Sequence, residues 1–211
     1  MIVILMGAPG AGKGTQADYL REDKGFIKIS TGDLLRREVS SHSELGRKVR
    51  DIMDSGGLVS DSILLQIVKN ALELYKDRNL VLDGFPRTVV QAQWLEENAA
   101  VSGVIHIDVD QEELIERLSG RLVCGTCESV YHSIRKPPMR EGVCDKCGGT
   151  LNVRQDDRRD RVLHRLKVYL EQTAPVVDFY KRNSRYFRVD GNAGELAVSG
   201  EIDKLLSKLE G

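Results

Sequence analysis

The chain has 211 residues, of which 31 are basic and 32 acidic, for a net charge of −1 at pH 7. General nucleic-acid binders and anionic-membrane binders are usually basic, so this balance argues against both classes. No apolar run approaches the roughly 18 residues that a membrane-spanning helix needs. The length lies between one domain and two, and it allows a sizeable core without disulfides.

Short apolar runs alternate with helical patterns along most of the sequence. Residues 1–6 are continuously apolar and end at Gly7, which is typical of a strand buried on both faces of a parallel sheet. Further strands are predicted over residues 26–29, 80–82, 104–107 and 186–189, and helices over residues 13–23, 62–75, 88–98 and 111–119. The alternation predicts an α/β fold with a doubly wound parallel sheet and helices on both faces.

Two stretches interrupt this alternation and are interpreted as insertions. Residues 30–59 are polar and helical in pattern, and residues 121–155 contain all four cysteines. Insertions at the carboxyl ends of parallel strands lie where α/β proteins bind ligands. The remaining core comprises residues 1–29, 60–120 and 156–211.

A glycine-rich segment, GAPGAGKGT over residues 7–15, follows the first strand and opens the first helix. That context is what a phosphate-binding loop requires, because backbone N–H groups and the helix N-terminus then surround phosphate oxygens. Lys13 would reach the β- and γ-phosphates. The alternative is a tight turn with a solvated lysine. The general motif has a hydroxyl residue directly after the lysine, whereas here Gly14 follows and Thr15 comes one place later.

An apolar run over residues 80–82 ends in Asp83, within the string DGFPRT. A carboxylate at the end of a buried strand is typical of the element that lies near Mg²⁺ beside a phosphate loop, bound directly or through water. A turn-forming role for Asp83 is the alternative. With Thr15 nearby in the phosphate loop, these two residues define the expected magnesium vicinity.

The four cysteines form two Cys-x-x-Cys pairs, Cys124 with Cys127 and Cys144 with Cys147. Two such pairs at this spacing indicate a tetrahedral zinc site, and four thiolates leave no open position for a catalytic water, so the zinc would be structural. Two disulfides are the alternative, which needs an oxidising compartment. The apolar N-terminus lacks the basic segment of a signal peptide, so we expect a cytoplasmic protein.

These strings together resemble the adenylate kinase family, in its bacterial long form with a four-cysteine lid. The resemblance rests on GAPGAGKGT, TGDLLR at residues 31–36, DGFPRT and the cysteine module, and spans the chain from Gly7 to about Gly191. It implies a phosphate-loop core, an AMP-binding insertion over residues 30–59 and a zinc-binding lid over residues 121–155. It also implies reversible, Mg-dependent, in-line phosphoryl transfer from ATP to AMP, giving two ADP. Small nucleotides would be the partners of a monomer that binds neither nucleic acid nor membrane.

The resemblance also assigns roles to individual residues. The residues implied in ATP binding are Gly10, Ala11, Gly12, Lys13, Gly14, Thr15, Arg117, Arg121, Val130, Tyr131 and Ala193. The residues implied in AMP binding are Thr31, Arg36, Gly57, Leu58, Val59, Gly84, Phe85, Pro86, Arg87, Gln91, Arg154 and Arg165. The catalytic group is implied to be Lys13, Arg87, Arg121, Arg154 and Arg165. The alternatives to nucleotide binding are structural roles: a helix cap for Thr31 and a surface helix position for Gln91.

Arginines suit phosphoryl transfer because the planar guanidinium binds two oxygens and stays charged. Arg117 and Arg121 are four residues apart and would share one helix face if the helix over residues 111–119 continued. After the Asp156-Asp157 pair the family is usually acidic, whereas this chain has Arg158, Arg159 and Arg161. We expect Arg158 and Arg159 to be exposed.

Three other functions remain open from the sequence. The first is a kinase for UMP, CMP or GMP, against which Thr31, Gln91 and the long lid favour AMP. The second is a nucleotide-switched binding protein, which has no need of a second phosphate site. The third is a zinc-ribbon module for nucleic acid, which the phosphate loop and the DGFPRT string argue against.

Overall fold

The computed structural model describes the backbone of residues 1–210, and the side chains of these residues except Arg159, Asp160 and Glu210. Its main feature is a five-stranded parallel sheet in the order β2-β3-β1-β4-β8, joined by a three-stranded antiparallel sheet in the order β6-β5-β7. The strands are β1 (Ile2–Met6), β2 (Ile27–Ser30), β3 (Leu80–Asp83), β4 (Gly103–Asp108), β5 (Arg121–Cys124), β6 (Val130–His132), β7 (Leu151–Asn152) and β8 (Tyr186–Asp190).

Helices cover both faces of the parallel sheet, which confirms the predicted fold class. They are α1 (Lys13–Lys24), α2 (Thr31–Ser40), α3 (Glu44–Ser55), α4 (Asp61–Leu74), α5 (Val89–Asn98), α6 (Gln111–Ser119), α7 (Arg159–Val168), α8 (Ala174–Lys181) and α9 (Glu195–Glu210). Short 3₁₀ turns lie at Gln155–Asp157 and Gly191–Ala193, and a π-helical turn at Tyr169–Thr173 joins α7 to α8. In the described part of the chain, no helix combines the length and apolar character needed to cross a bilayer.

The central strand β1 explains why the sheet has two cores. Successive side chains of a strand point to opposite faces. Val3 and Leu5 belong to one cluster, with side chains of α1, α6 and α9, while Ile4 and Met6 belong to a second, with side chains of α4, α5 and α8. All four are at most 3% exposed. A continuous apolar run is therefore required here, as the sequence predicted.

Two segments interrupt the alternation of strands and helices, one after β2 and one after α6. In the first, Ser30 caps α2 by accepting a hydrogen bond from the Asp33 N–H at 3.3 Å. Helices α2 and α3 cross closely at Gly46, where a Cβ atom would lie 2.0 Å from the Glu38 carbonyl oxygen. The second segment forms the antiparallel sheet, whose buried cluster is small: Cys124, Tyr131, Cys144 and Leu151.

The helix that carries Arg117 ends where the sequence predicted, so the condition for a face shared with Arg121 is not met. Helix α6 ends at Ser119, and Arg121 begins β5, so Arg117 and Arg121 do not share a helix face. The break occurs at Gly120, where a Cβ would lie 2.3 Å from the His132 ring. The Gly120 carbonyl accepts a hydrogen bond from the Ser133 N–H at 2.8 Å, so the chain leaves the helix to pair with the small sheet.

Candidate active site

The loop between β1 and α1 has the geometry of an anion cradle. Gly7, Gly10 and Gly12 have φ of +144°, +88° and +95°, in the region that favours glycine. A Cβ on Gly7 would also lie 2.5 Å from the Ile107 carbonyl oxygen. Helix α1 starts at Lys13 without a side-chain cap, so its first N–H groups face the loop.

Lys13 lies across this cradle. Its ammonium donates to the carbonyl oxygens of Gly7 and Ala8 at 2.8 and 2.9 Å. Burial lowers the pKa of Lys13 to about 8; Asp83 opposes the shift, whereas Arg87 and other nearby arginines add to it. An anion bound in the cradle would therefore favour the protonated amine.

A cavity of about 540 Å³ opens over the loop. Of the residues predicted for ATP, all except Ala193 line it; Ala193 is exposed, and its neighbours Gly191 and Gly194 line the cavity instead. Arg117 lies at that end, where it donates to Glu113 at 2.7 Å and to the Gly191 carbonyl at 2.9 Å. Besides Arg117, six cationic residues of the predicted site line this cavity, namely Lys13, Arg36, Arg87, Arg121, Arg154 and Arg165.

A second cavity of about 80 Å³ is also lined by the loop lysine. Predicted AMP residues that line it are Leu58, Gly84, Pro86, Arg87 and Arg165. Arg36 and Arg154 line the large cavity instead, and Thr31, Gly57, Val59, Phe85 and Gln91 line neither of the two. The two cavities share part of their lining, and the shared residues are Pro9, Lys13, Arg87 and Arg165.

Asp157 holds two of the arginines together. Its carboxylate is fully buried, and it accepts from Arg121 Nε and Nη2 at 2.7 and 2.5 Å. The same carboxylate accepts from Arg165 Nη1 at 2.6 Å, and Arg165 also pairs with Asp156 at 3.0 Å. The Asp157 carboxylate thus holds the Arg121 and Arg165 guanidinium groups, which would otherwise repel each other, side by side. This role of Asp157 was not predicted from the sequence, and the signal that would identify its two partners is absent from the local pattern.

Arg154 is less fully paired. Its Nε is buried and has no hydrogen-bond partner among the described residues. Asp33 lies 3.9 Å from its Nη2 and also pairs closely with Arg36. Burial lowers the pKa of Arg154 to about 10, with Arg121 and Arg36 adding to the effect. A bound anion would satisfy this group better than the protein does.

Gly84, at the end of β3, organises the second cavity. Its carbonyl accepts from the Thr31 hydroxyl and from Arg87 Nε, both at 2.8 Å. Gly84 has φ +77°, and a Cβ there would lie 2.8 Å from Arg87 Nη2. Burial lowers the pKa of Arg87. Glycine is needed here so that the arginine can lie flat against the backbone.

Gln91 is fully buried, and protein groups bind both ends of its amide. The Oε1 atom accepts from the Arg87 N–H at 2.7 Å, and the Nε2 group donates to Asp61 at 2.7 Å. Thr88 caps α5 through the Gln91 N–H at 3.2 Å. The surface position that we weighed for Gln91 is therefore wrong, while contact with adenine stays a prediction. The partner Asp61 was not found from sequence.

The four cysteines converge as the zinc prediction requires. They are free, and their Sγ atoms all lie within 4.8 Å of one another, with Cys124–Cys147 at 3.4 Å and Cys127–Cys144 at 3.5 Å. Thiolates around a tetrahedral zinc are separated by about 3.8 Å, from a bond length of roughly 2.3 Å. The residues therefore fit a zinc ion.

His132 lies in β6 of the same small sheet but is not part of the cysteine cluster. Its Nδ1 accepts from the backbone N–H groups of Ile134 and Arg135 at 3.2 and 3.1 Å, so the proton lies on Nε2, 3.2 Å from the Glu116 carbonyl. Both ring nitrogens are thus engaged by the protein. In the described part of the chain, the candidate metal ligands are therefore the four cysteines without His132.

Of the unusual arginines after the aspartate pair, Arg158 and Arg161 line neither cavity. Arg158 is exposed, as predicted. Arg161 donates to the Asp54 carbonyl of α3 at 2.9 Å. The prediction for Arg159 concerns a side chain outside the described part of the structure.

Comparison with known proteins gives one family. The family model described as adenylate kinase matches residues 5–185. A protein named adenylate kinase from Caldicellulosiruptor saccharolyticus is 48% identical over 98% of this chain and 99% of its own. Proteins with the same name from Oceanobacillus iheyensis and Archaeoglobus fulgidus are 43% and 41% identical, over 99% and 100% of this chain and 100% of each relative.

Proposed function

The chain belongs to the adenylate kinase family, and from that premise we propose that it transfers the γ-phosphoryl group of Mg-ATP to AMP, reversibly and in line, giving two ADP. The family makes it a nucleoside monophosphate kinase. The choice of AMP, the direct transfer and the roles of individual residues are the content of the proposal.

One observation carries the proposal: two cavities meet at three cations. Lys13, Arg87 and Arg165 line both of them. Phosphoryl transfer between two nucleotides needs the donor and acceptor phosphates to meet where their negative charge is neutralised. A switch protein needs one phosphate site, so a second cavity that shares the same cations favours a transferase.

The larger cavity suits the donor. Its floor is the glycine-rich loop, whose N–H groups and Lys13 would hold the triphosphate. Val130 and Tyr131 of β6 and the loop near Ala193 would enclose the nucleoside. Arg117, fixed by Glu113 and the Gly191 carbonyl, lies at that end.

The smaller cavity suits the acceptor. Leu58 and Pro86 supply apolar surface for a base, and Arg87 supplies charge for its phosphate. Thr31 and Gly84 hold Arg87 in place through the shared carbonyl. Because the cavity holds only about 80 Å³, we expect the segments around Leu58 and Gly84 to open when AMP enters. Gln91 would contact adenine after giving up one of its present hydrogen bonds.

Transfer itself needs positioning and charge stabilisation more than covalent chemistry. Lys13, Arg121 and Arg165 would bind the oxygens of the transferring group, while Arg87, Arg36 and Arg154 orient the acceptor phosphate. No nucleophilic side chain is needed, because the AMP phosphate itself attacks. Closure of the two insertions, residues 30–59 and 121–155, would exclude the water that could otherwise accept the phosphoryl group.

Two metals complete the proposal. The Asp83 carboxylate lines the large cavity beside Gly14, and Thr15 lines it too, an oxygen-rich pair that fits Mg²⁺. Bound there, Mg²⁺ would neutralise charge on the phosphate oxygens of ATP. Zinc held by the four cysteines would stabilise the small sheet, whose own apolar cluster is too limited to do so alone. We also propose a cytoplasmic monomer.

A coupled assay with Mg-ATP and each of AMP, UMP, CMP and GMP tests the proposal. We expect rapid turnover with AMP and much slower turnover with the other three. Activity mainly with another monophosphate would keep the chemistry but reject the assignment of Thr31 and Gln91. No activity with any acceptor, in folded zinc-loaded protein, would reject the proposed function.

A further inference from the structure

An exposed ion pair joins the two insertions. Arg37 lies in α2, and Glu128 lies in the turn between β5 and β6, 91 residues away. Arg37 Nε and Nη2 donate to the two carboxylate oxygens, each at 3.0 Å. Two parallel N–H···O hydrogen bonds make this a bidentate arginine–carboxylate pair, which is stronger and more specific in geometry than a single contact.

The pair lies beside the large cavity. Glu128 lines the large cavity two residues before Val130, and it has φ +63° in a turn closed by its N–H to the Cys124 carbonyl at 3.1 Å. Arg37 directly follows Arg36, which lines the same cavity and which we propose to orient the acceptor phosphate. A shift of either partner therefore moves a residue next to bound nucleotide.

From this geometry we propose that Arg37 and Glu128 are positioning residues that couple the donor and acceptor sites. The inference rests on the proposed function. The bidentate contact forms only when both insertions, residues 30–59 and 121–155, are in the positions seen here. A nucleotide that binds to one insertion and fixes its position therefore favours the bound position of the other insertion. Such coupling is reciprocal, because a contact shared by two closures contributes equally to both.

Other lid ion pairs connect the small sheet to the core and provide a contrast. Lys146 pairs with Glu22 of α1, and Lys136 pairs with Glu195 of α9 at 3.1 Å. Neither contact involves α2 or α3. They should support closure over the donor without transmitting the state of the acceptor side.

The test compares the KM for AMP at a low, subsaturating concentration of Mg-ATP with the KM for AMP at saturating Mg-ATP. The ratio of the two KM values is the coupling factor. We compare the wild type, Arg37→Gln, Glu128→Gln, both together, and the charge exchange Arg37→Glu with Glu128→Arg. An exposed pair of this kind changes an equilibrium by roughly two- to fivefold, so each single variant should lose about that factor of coupling. The double variant should lose no more than one single variant, and the exchange should restore part of the loss.

Lys146→Gln is the matched control. It also removes one exposed lid charge, so it should raise the KM for ATP while keeping more of the coupling than either single variant. All variants should melt close to the wild type, because exposed substitutions rarely change stability much.

The outcomes separate this inference from the proposed function. If the wild type does not phosphorylate AMP, the proposed function fails. If the wild type is active but the coupling factor is equal in all variants, or the charge exchange restores nothing, the inference is overturned.

Discussion

Asp157 gives the sharpest prediction about stability and catalysis together. The substitution Asp157→Asn keeps the shape but removes the charge that lies between Arg121 and Arg165. In the structure this carboxylate is fully buried and accepts three hydrogen bonds from the two guanidinium groups. An asparagine offers one oxygen acceptor, and its NH₂ group would face a donor.

The expected loss follows from the burial of the partners. Removing one partner of a fully buried ion pair costs about 3–5 kcal/mol. Arg121 and Arg165 are each 16% exposed and face the large cavity, so water relieves part of that cost. We therefore expect the free energy of unfolding to fall by about 2–3 kcal/mol. For a chain of this size, that loss lowers the melting temperature by roughly 4–12 °C.

Thermal melting and steady-state kinetics of the same samples are the assays. Because both arginines lose their orientation, kcat should fall by at least about tenfold, or roughly 1.4 kcal/mol of barrier. Asp178→Asn is the matched control, since Asp178 pairs with Lys181 on the surface at 69% exposure and should change stability by less than about 0.5 kcal/mol. If Asp157→Asn lost no more stability than the control Asp178→Asn and its kcat were unchanged, the reasoning would be refuted.

Three further predictions concern zinc, pH and the arginines. Chelation of zinc should lower the melting temperature and the activity together, because the small sheet has few buried side chains of its own; an unchanged melting curve would contradict this. Burial lowers the pKa of Lys13 to about 8, so the affinity for ATP should fall as pH rises above 8 and the free enzyme loses that proton; isothermal titration should show this in the wild type and a flat profile in Lys13→Arg. Arg154→Ala should lower kcat/KM by more than about a hundredfold, whereas Arg158→Glu should change it by less than about tenfold, since Arg158 is exposed; similar losses for the two would count against the assignment.

Local patterns in the sequence predicted much of the architecture. The alternation of apolar runs and helical periods predicted the parallel sheet, because buried strands and amphipathic helices each leave a signal within a few residues. The phosphate loop and the cysteine pairs were found for the same reason. In both cases neighbouring residues in sequence supply most of the geometry.

Contacts between distant segments were not predicted. Gly120 packs against the His132 ring, and the buried amide of Gln91 binds Asp61. The bridging role of Asp157 and the pairing of Glu128 with Arg37 likewise need the folded chain. Charged residues carry no periodic signal that identifies a partner tens of residues away, so these interactions emerge only from the three-dimensional arrangement.

The most direct test of the central claim follows the labelled γ-phosphoryl group. The purified, zinc-loaded protein is mixed with Mg²⁺, γ-labelled ATP and unlabelled AMP, and the products are separated at early times. We predict two ADP formed for each ATP consumed, with the label in the β-position of the half that derives from AMP and little labelled inorganic phosphate. Label released as inorganic phosphate, or ATP consumed at the same rate without AMP, would contradict the account.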